Sequence, residues 1–344
     1  MYATVNIFLG SGSFQANGGG GYCPGPCYGP GGGGRIAIYY KDSSFSGTAV
    51  AGVDNFGGIA RVGTVSFINT TNNILYPKAF FRFEFIDSPI LFSNVISNGA
   101  ELEIANNVTL NTDNFLLNQN SVFTFSDNNT LNISTLNIDR ASLVLSGSEN
   151  LIINDLIINN SGTLTIVPER ILSITASNIS ILNNSGISAS GMGYPVNSGP
   201  GAPSVPLAGA SHGGLGNGNS PASIYGSERA PVDIGSGGYA QHFSGGGAIK
   251  LIINDTFENN GYVGATGSNT GSGGSVYVIT NNFKGTGTFD ASGGGTYCPG
   301  PCYGGGGGGR IAIYYQDSTF TGAAVVNGGD GFSGSGTIIM ETSN

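Results

Sequence analysis

Four cysteines are the residues in this 344-residue chain whose type and spacing promise chemistry most directly. They stand in two copies of Cys-Pro-Gly-Pro-Cys, at Cys23/Cys27 and Cys298/Cys302. Two thiolates alone make a weak metal site, because a structural zinc centre wants four ligands. A Pro-Gly centre suits a type II turn, with glycine at the positive-φ position. Such a turn returns the two cysteines of one motif to within disulfide reach. Local bridges Cys23–Cys27 and Cys298–Cys302 are therefore expected, with bridges between neighbouring protomers as the alternative. Either arrangement implies an oxidising compartment.

Other reactive types are sparse. The two histidines, His212 and His242, lie in glycine-rich sequence and read as loop or surface residues. No H-E-x-x-H, G-x-S-x-G or Walker pattern occurs. The runs "GSGGS" (271–275) and "GGGGGG" (304–309) precede strand-like sequence, whereas a phosphate cradle wants a helix to follow. Arg82/Glu84 and Glu101/Glu103 bring acids near a cation, as a polysaccharide-cleaving site would. A solvated ion pair across neighbouring strands is the plainer use. No catalytic, metal or cofactor residue is assigned, and the chain reads as a non-enzyme. Eight N-x-[ST] acceptors occur, at Asn69, Asn107, Asn128, Asn132, Asn159, Asn178, Asn183 and Asn254. They are expected to carry N-linked glycans at partial occupancy, since Asn107 and Asn128 fall one period apart and would crowd. Stacked side-chain amides are the competing use of these asparagines.

The elements that must position these residues are repetitive. Pairs of apolar residues separated by one polar residue recur every 20 or 21 positions. One row is Phe81/Phe83, Leu102/Ile104, Phe123/Phe125, Leu143/Leu145 and Leu164/Ile166. A second is Phe115/Leu117, Leu136/Ile138 and Leu156/Ile158. A third is Leu131/Ile133, Leu151/Ile153 and Leu172/Ile174. Alternation within a pair is the strand period of two, and a fixed long period is the signature of a solenoid. The fold expected is an all-β parallel β-helix, right-handed, with about three short strands per 20–21-residue coil. Longer glycine-rich coils lie at both ends.

A longer repeat frames this one. Sliding the chain on itself until Cys23 falls on Cys298 also lays Arg35 on Arg310 and Tyr40 on Tyr315. After a short gap near Phe56 the same slide lays "GTVSF" (63–67) on "GTIIM" (336–340). Four segments follow: 1–70, a partial copy of 276–344; 71–187, asparagine-rich regular coils; 188–244, a Gly/Pro/Ser-rich excursion; and 245–344, glycine-rich coils. Thirteen coils per long repeat would displace the copies by ~60 Å at strand spacing. Met1 falls in the middle of a strand-like run, as in a window cut from a tandem array or a protomer with two like ends.

Composition bounds the partners. Glycine is 61 of 344 residues, charged residues are only 9%, and hydrophobic residues reach 39%, so disorder is disfavoured. Eleven scattered Lys and Arg within a net charge of −9 leave no footprint for nucleic acid. No apolar run approaches the ~18 residues of a membrane span, and the start lacks the pattern of a signal peptide.

The stretches "SHGGLGN" (211–217), "GSGGYAQHFSGGGAIKLIIN" (235–254) and "GGGGGGRIAIYY" (304–315) resemble the glycine-rich repeats of very large extracellular surface proteins, adhesin-like or filament-forming. The resemblance covers about 190–344 and 1–50. It implies a β-helix at the cell surface or outside the cell, and brings no catalytic residues with it. The reading is a glycosylated structural protein that polymerises head-to-tail with itself into a filament, fibre or sheath. An adhesin stalk presenting Tyr39, Tyr40, Tyr314 and Tyr315 to carbohydrate is the alternative, followed by a polysaccharide lyase or hydrolase.

Overall fold

The computed structural model describes residues 1–20, 31–53, 62–125, 128–147, 150–218, 222–239, 243–298, 300 and 302–343. Among these the chain is all-β, with one single-turn 3₁₀ segment, Phe85–Asp87. Contacts gather into two units, residues 1–143 and 144–344.

In the first unit the apolar rows become the core. Glu101–Ile104 buries Leu102 and Ile104 and turns Glu101 outward. Leu102 lies beside Phe81 on one side and Phe123 on the other, both in parallel register. Phe83, Leu102, Phe123 and Leu143 are each no more than 1% exposed, while Phe81 is half-buried. The second and third rows share one strand. Within Thr130–Asp139 the inward residues are Leu131, Ile133, Leu136 and Ile138. The step of three between Ile133 and Leu136 inverts the alternation, so a continuous strand turns a corner there. The period therefore holds one bent long strand and one short strand, not three separate ones.

Every strand pair described is parallel except Thr64–Asn69 with Ile74–Pro77. Asn69 causes that reversal. Its Oδ1 accepts the amides of Thr71 and Asn72 at 3.0 and 2.9 Å, and Asn73 follows with φ of 52°. Side chain-to-backbone bonds of this kind stabilise tight turns.

In the second unit Asn150–Asn159 pairs with Ile171–Ile181, with Leu151 beside Ile174 and Leu156 beside Ile179. Leu151 thus meets Ile174 rather than Leu172, and the expected stacking of Leu151/Ile153 on Leu172/Ile174 is off by two. The extra pair of residues enters between Ile166 and Ser173, where Glu169 turns with φ of 63°. Farther on, Ala248–Asn259, Ser275–Lys284, Arg310–Ser318 and Thr337–Thr342 pair in that order, all parallel. Steps in the glycine-rich parts are longer, as from Ser275 to Arg310 or from Tyr2 to Ala37. Thirteen coils per long repeat is therefore an overcount.

The two copies of the long repeat fold alike. Tyr2 pairs with Ala37 and Phe8 with Ser43; their counterparts Tyr277 and Phe283 pair with Ala312 and Ser318. Arg35 pairs with Thr64 as Arg310 pairs with Thr337. Phe8 stacks on Phe45 with ring centres 4.3 Å apart, and Phe283 stacks on Phe320 at the same 4.3 Å. A stacked Phe closing each polar turn thus fixes the same local geometry twice.

Leu143→Ala is expected to destabilise the chain by roughly 2–5 kcal/mol, the range for emptying a packed core site. Because repeat units contact mainly their neighbours, hydrogen exchange should rise in the strands beside Leu143 and leave Arg310–Ser318 unchanged.

Candidate functional site

The described residues between Ser188 and Ala248 form no strand, yet many are buried. Backbone hydrogen bonds hold this excursion against glycine-rich segments of the same unit. Gly214 donates to Gly308 O at 2.8 Å, Gly307 to Ala210 O at 2.8 Å, and Asn217 to Gly305 O at 2.9 Å. Such bonds demand close approach. A Cβ on Gly213 would overlap the Gly309 carbonyl, and one on Gly307 would overlap that of Gly214. The glycine runs are thus mutual docking surfaces, and strands follow them, as their sequence indicates.

His212 is buried at the centre of this contact and is not a surface residue. Its Nδ1 donates to Gly273 O at 2.8 Å, and its ring lies 4.6 Å from that of Tyr225. Nε2 has no partner among the described residues; it faces Gly226, beside the Asp233 carboxylate. Burial is the main reason its pKa falls to about 4, with Arg310 pressing the same way and Asp233 and the Gly273 carbonyl opposing. Burial likewise pushes the Tyr225 phenol up; its hydroxyl donates to Ile234 O at 2.7 Å.

Arg310 closes the cluster, 2% exposed. Its Nε and Nη2 donate to Tyr225 O at 3.0 and 2.9 Å, and Nη1 donates to Thr337 Oγ1 at 3.0 Å. Nη1 also lies 3.3 Å from Glu228 Oε1. Asp330 ties the remaining segments together. Oδ2 accepts from Asn217, Thr296 and the Gly305 amide, and Oδ1 from Ser333 and the Phe332 amide. Burial pushes its carboxyl up, but these bonds outweigh that and hold it well below the usual carboxylate range.

Cys298 and Cys302 are disulfide-bonded to each other. A backbone bridge between Tyr297 and Tyr303 closes the same tip, and Tyr297 packs on Phe243 at 4.8 Å. Cys23, Cys27 and His242 lie outside the described residues. Arg82 stands opposite Glu103 in the register of neighbouring strands. The four tyrosines do not form one face. Tyr39 turns outward, while Tyr40 is buried beside Phe8. Tyr314 donates to Arg229 O, and its neighbour Tyr315 lies 6.0 Å from Phe283. Adjacent residues on a strand point oppositely.

The acceptor asparagines divide by use. Nδ2 of Asn69 donates to Lys41 O, that of Asn132 to Asn111 Oδ1 at 2.7 Å, and that of Asn178 to Asp155 Oδ1 at 2.8 Å. Asn159 is half-buried. Asn107 and Asn128 are exposed in left-handed turns with φ of 61° and 65°, and Asn183 and Asn254 are also exposed.

No family model matches the chain, no curated protein matches it, and no solved structure matches it. Among the described residues no helix is long and apolar enough to cross a membrane.

Two outcomes follow from this geometry. His212 has its pKa lowered in the folded chain, so the unfolded chain binds more protons between pH 6.5 and about 4. Stability should therefore fall as pH drops through that window, by on the order of 3 kcal/mol at about 1.4 per pKa unit. His212→Asn should flatten the dependence, read by urea unfolding across pH. Glycopeptide mapping should find sugar at Asn183, Asn254 and one of Asn107/Asn128, and none at Asn132 or Asn178, whose amide nitrogens are already bonded.

Proposed function

We propose that this chain is a non-catalytic structural protein of the cell surface or extracellular space. Its sheets wind as a right-handed parallel β-helix and stack head-to-tail into a filament or sheath. The observation that carries the reading is the long repeat folded twice alike: Tyr2–Phe8 lies on Arg35–Ser43 as Ser275–Lys284 lies on Arg310–Ser318. Ser275–Lys284 is flanked on its other side by Ala248–Asn259, so this strand type accepts a parallel neighbour on both sides. Tyr2 and Ile7 are exposed. Repetition of one head-to-tail contact generates an open fibre rather than a closed ring. The local disulfide fits an oxidising environment, and the exposed acceptors fit a glycosylated surface.

An adhesin stalk keeps some support from the Tyr2–Tyr39 pair, whose ring centres lie 5.2 Å apart on the outward side. Electron microscopy of the purified chain, with sedimentation across concentration, distinguishes the readings. Filaments with a regular axial repeat shorter than ~60 Å are expected, and Ile7→Lys should stop elongation while leaving the fold intact. A monodisperse monomer at high concentration would overturn the filament.

A further inference from the structure

We propose that a groove on the outer face of the short strands of the second unit, centred on Tyr262, is a binding site for a neutral saccharide. It stands whether or not the chain assembles head-to-tail.

Four strands carry the groove. Thr163–Ile166, Gly186–Ser188, Tyr262–Gly264 and Thr288–Asp290 lie side by side in parallel register, which sets Thr163, Gly186, Tyr262 and Thr288 in one row. The alternate residues Leu164, Ile187, Val263 and Phe289 are fully buried, so the row faces outward. Three strand steps give it a length on the order of 14 Å, that of a short oligosaccharide. Gly186 carries no side chain, and the row dips between Thr163 and Tyr262. The depression holds about 490 Å³.

Two features go beyond the close packing of successive coils. The first is the posture of Tyr262. A Cβ on Gly264 would overlap Cε1, Cζ and the hydroxyl of Tyr262. The ring therefore lies down along its own strand, over bare backbone, instead of standing off the sheet. Ser190 and Thr266 side chains bond its hydroxyl, and the ring remains half-buried. It is an apolar shelf fixed in place. The second feature is Ser185. It lines the groove, is 4% exposed, and its hydroxyl has no partner among the described residues. An unpaired buried hydroxyl is costly, and a ligand hydroxyl on the groove floor supplies the missing partner.

The rim is polar but neutral. Asn184 is exposed at one side, in a left-handed turn with φ of 62°. Asn260 is held at another, its Nδ2 donating to Glu258 Oε1 at 2.7 Å and its Oδ1 accepting from the Thr286 amide at 3.1 Å. None of the described residues lining the groove is charged. A phosphate, carboxylate or ammonium would lose water here and gain no counter-charge. A peptide strand needs an open sheet edge, and this groove crosses strands already paired on both sides. A pyranoside fits: its C–H face lies on an aromatic ring, and its hydroxyls meet neutral amides and hydroxyls at the edge. Asn183, in the acceptor Asn-Asn-Ser, is exposed and immediately precedes Asn184. The saccharide thus has two sources, a glycan attached at Asn183 or a free molecule, with the same chemistry.

The test uses the full chain with isotope-labelled threonine methyls, made in a host that adds no N-glycans and followed by NMR. The probes are cellotriose, triacetylchitotriose and mannotriose, with trigalacturonate as the charged control. At least one neutral probe at millimolar concentration should shift the methyls of Thr163, Thr286 and Thr288, and trigalacturonate should not. Tyr262→Phe should bind within about threefold of the parent and Tyr262→Ala about tenfold or more weaker. Asn184→Gly keeps the turn, removes the amide, and should weaken binding about fivefold. Gly264→Ala lifts the ring from its shelf while keeping the phenol, and should weaken binding as Tyr262→Ala does. A chain carrying sugar at Asn183 separates the sources. Loss of the response there, restored by Asn183→Gln, identifies the attached glycan as occupant; an unchanged response identifies a free saccharide. No shift at these methyls with any neutral probe, equal binding of trigalacturonate, or undiminished binding by Tyr262→Ala overturns the site, whatever the state of assembly.

Discussion

Parallel backbone hydrogen bonding in fixed register is the interaction on which the rest of this chain depends. Each strand satisfies its neighbour's amides and carbonyls, and the pleat then decides which side chains face inward. A slip of one residue would turn every inward Leu, Ile or Phe outward. The register consequently survives changes in loop length. The step between paired strands grows from the short one joining Leu110 to Leu131 to the much longer one joining Ser275 to Arg310, and the extra residues leave the ladder as turns. In the glycine-rich parts the same bonding extends beyond strands. There, backbone meets backbone with no side chain between, as at Gly214 and Gly308.

That constraint explains how far the sequence can be read. The rows through Leu102, Phe123 and Leu136 are legible because burial imposes the period of two on every strand. The corner in Thr130–Asp139 is also written there, in the spacing of Ile133 and Leu136, but a reading by pairs divides it into two strands. The slip at Leu172 is hidden, because an alternating strand matches itself after any shift of two. His212 and Asp330 cannot be found by period at all. His212 meets the carbonyl of a glycine run, which leaves no side-chain signature, and Asp330 meets Asn217 and Thr296, which lie far from it in the chain. The one local clue to Asp330 is the turn "DGFS", where an aspartate caps the next amides. Tyr39 and Tyr40 look like one aromatic face in the sequence, yet neighbouring strand residues diverge and these two part company.

The two copies of the long repeat differ less in fold than in what covers them. One has its guanidinium sealed beneath Tyr225; the other leaves the same guanidinium open beside Glu84 and Asp87. At the C-terminal copy the excursion is the cover, held there by backbone hydrogen bonds and by the polar contacts of Arg310, Tyr314 and Asp330. Its own hold depends on a neutral imidazole and a strongly hydrogen-bonded carboxylate.

The outward asparagines have a consequence for the surroundings this chain tolerates. Asn111 with Asn132, and Asn94 with Asn114, join neighbouring strands through neutral amides. With few ionic side chains on its surface, little in this molecule responds to the Debye length of the medium. Brine and fresh water should look nearly the same to it, a property that ion-pair networks cannot provide.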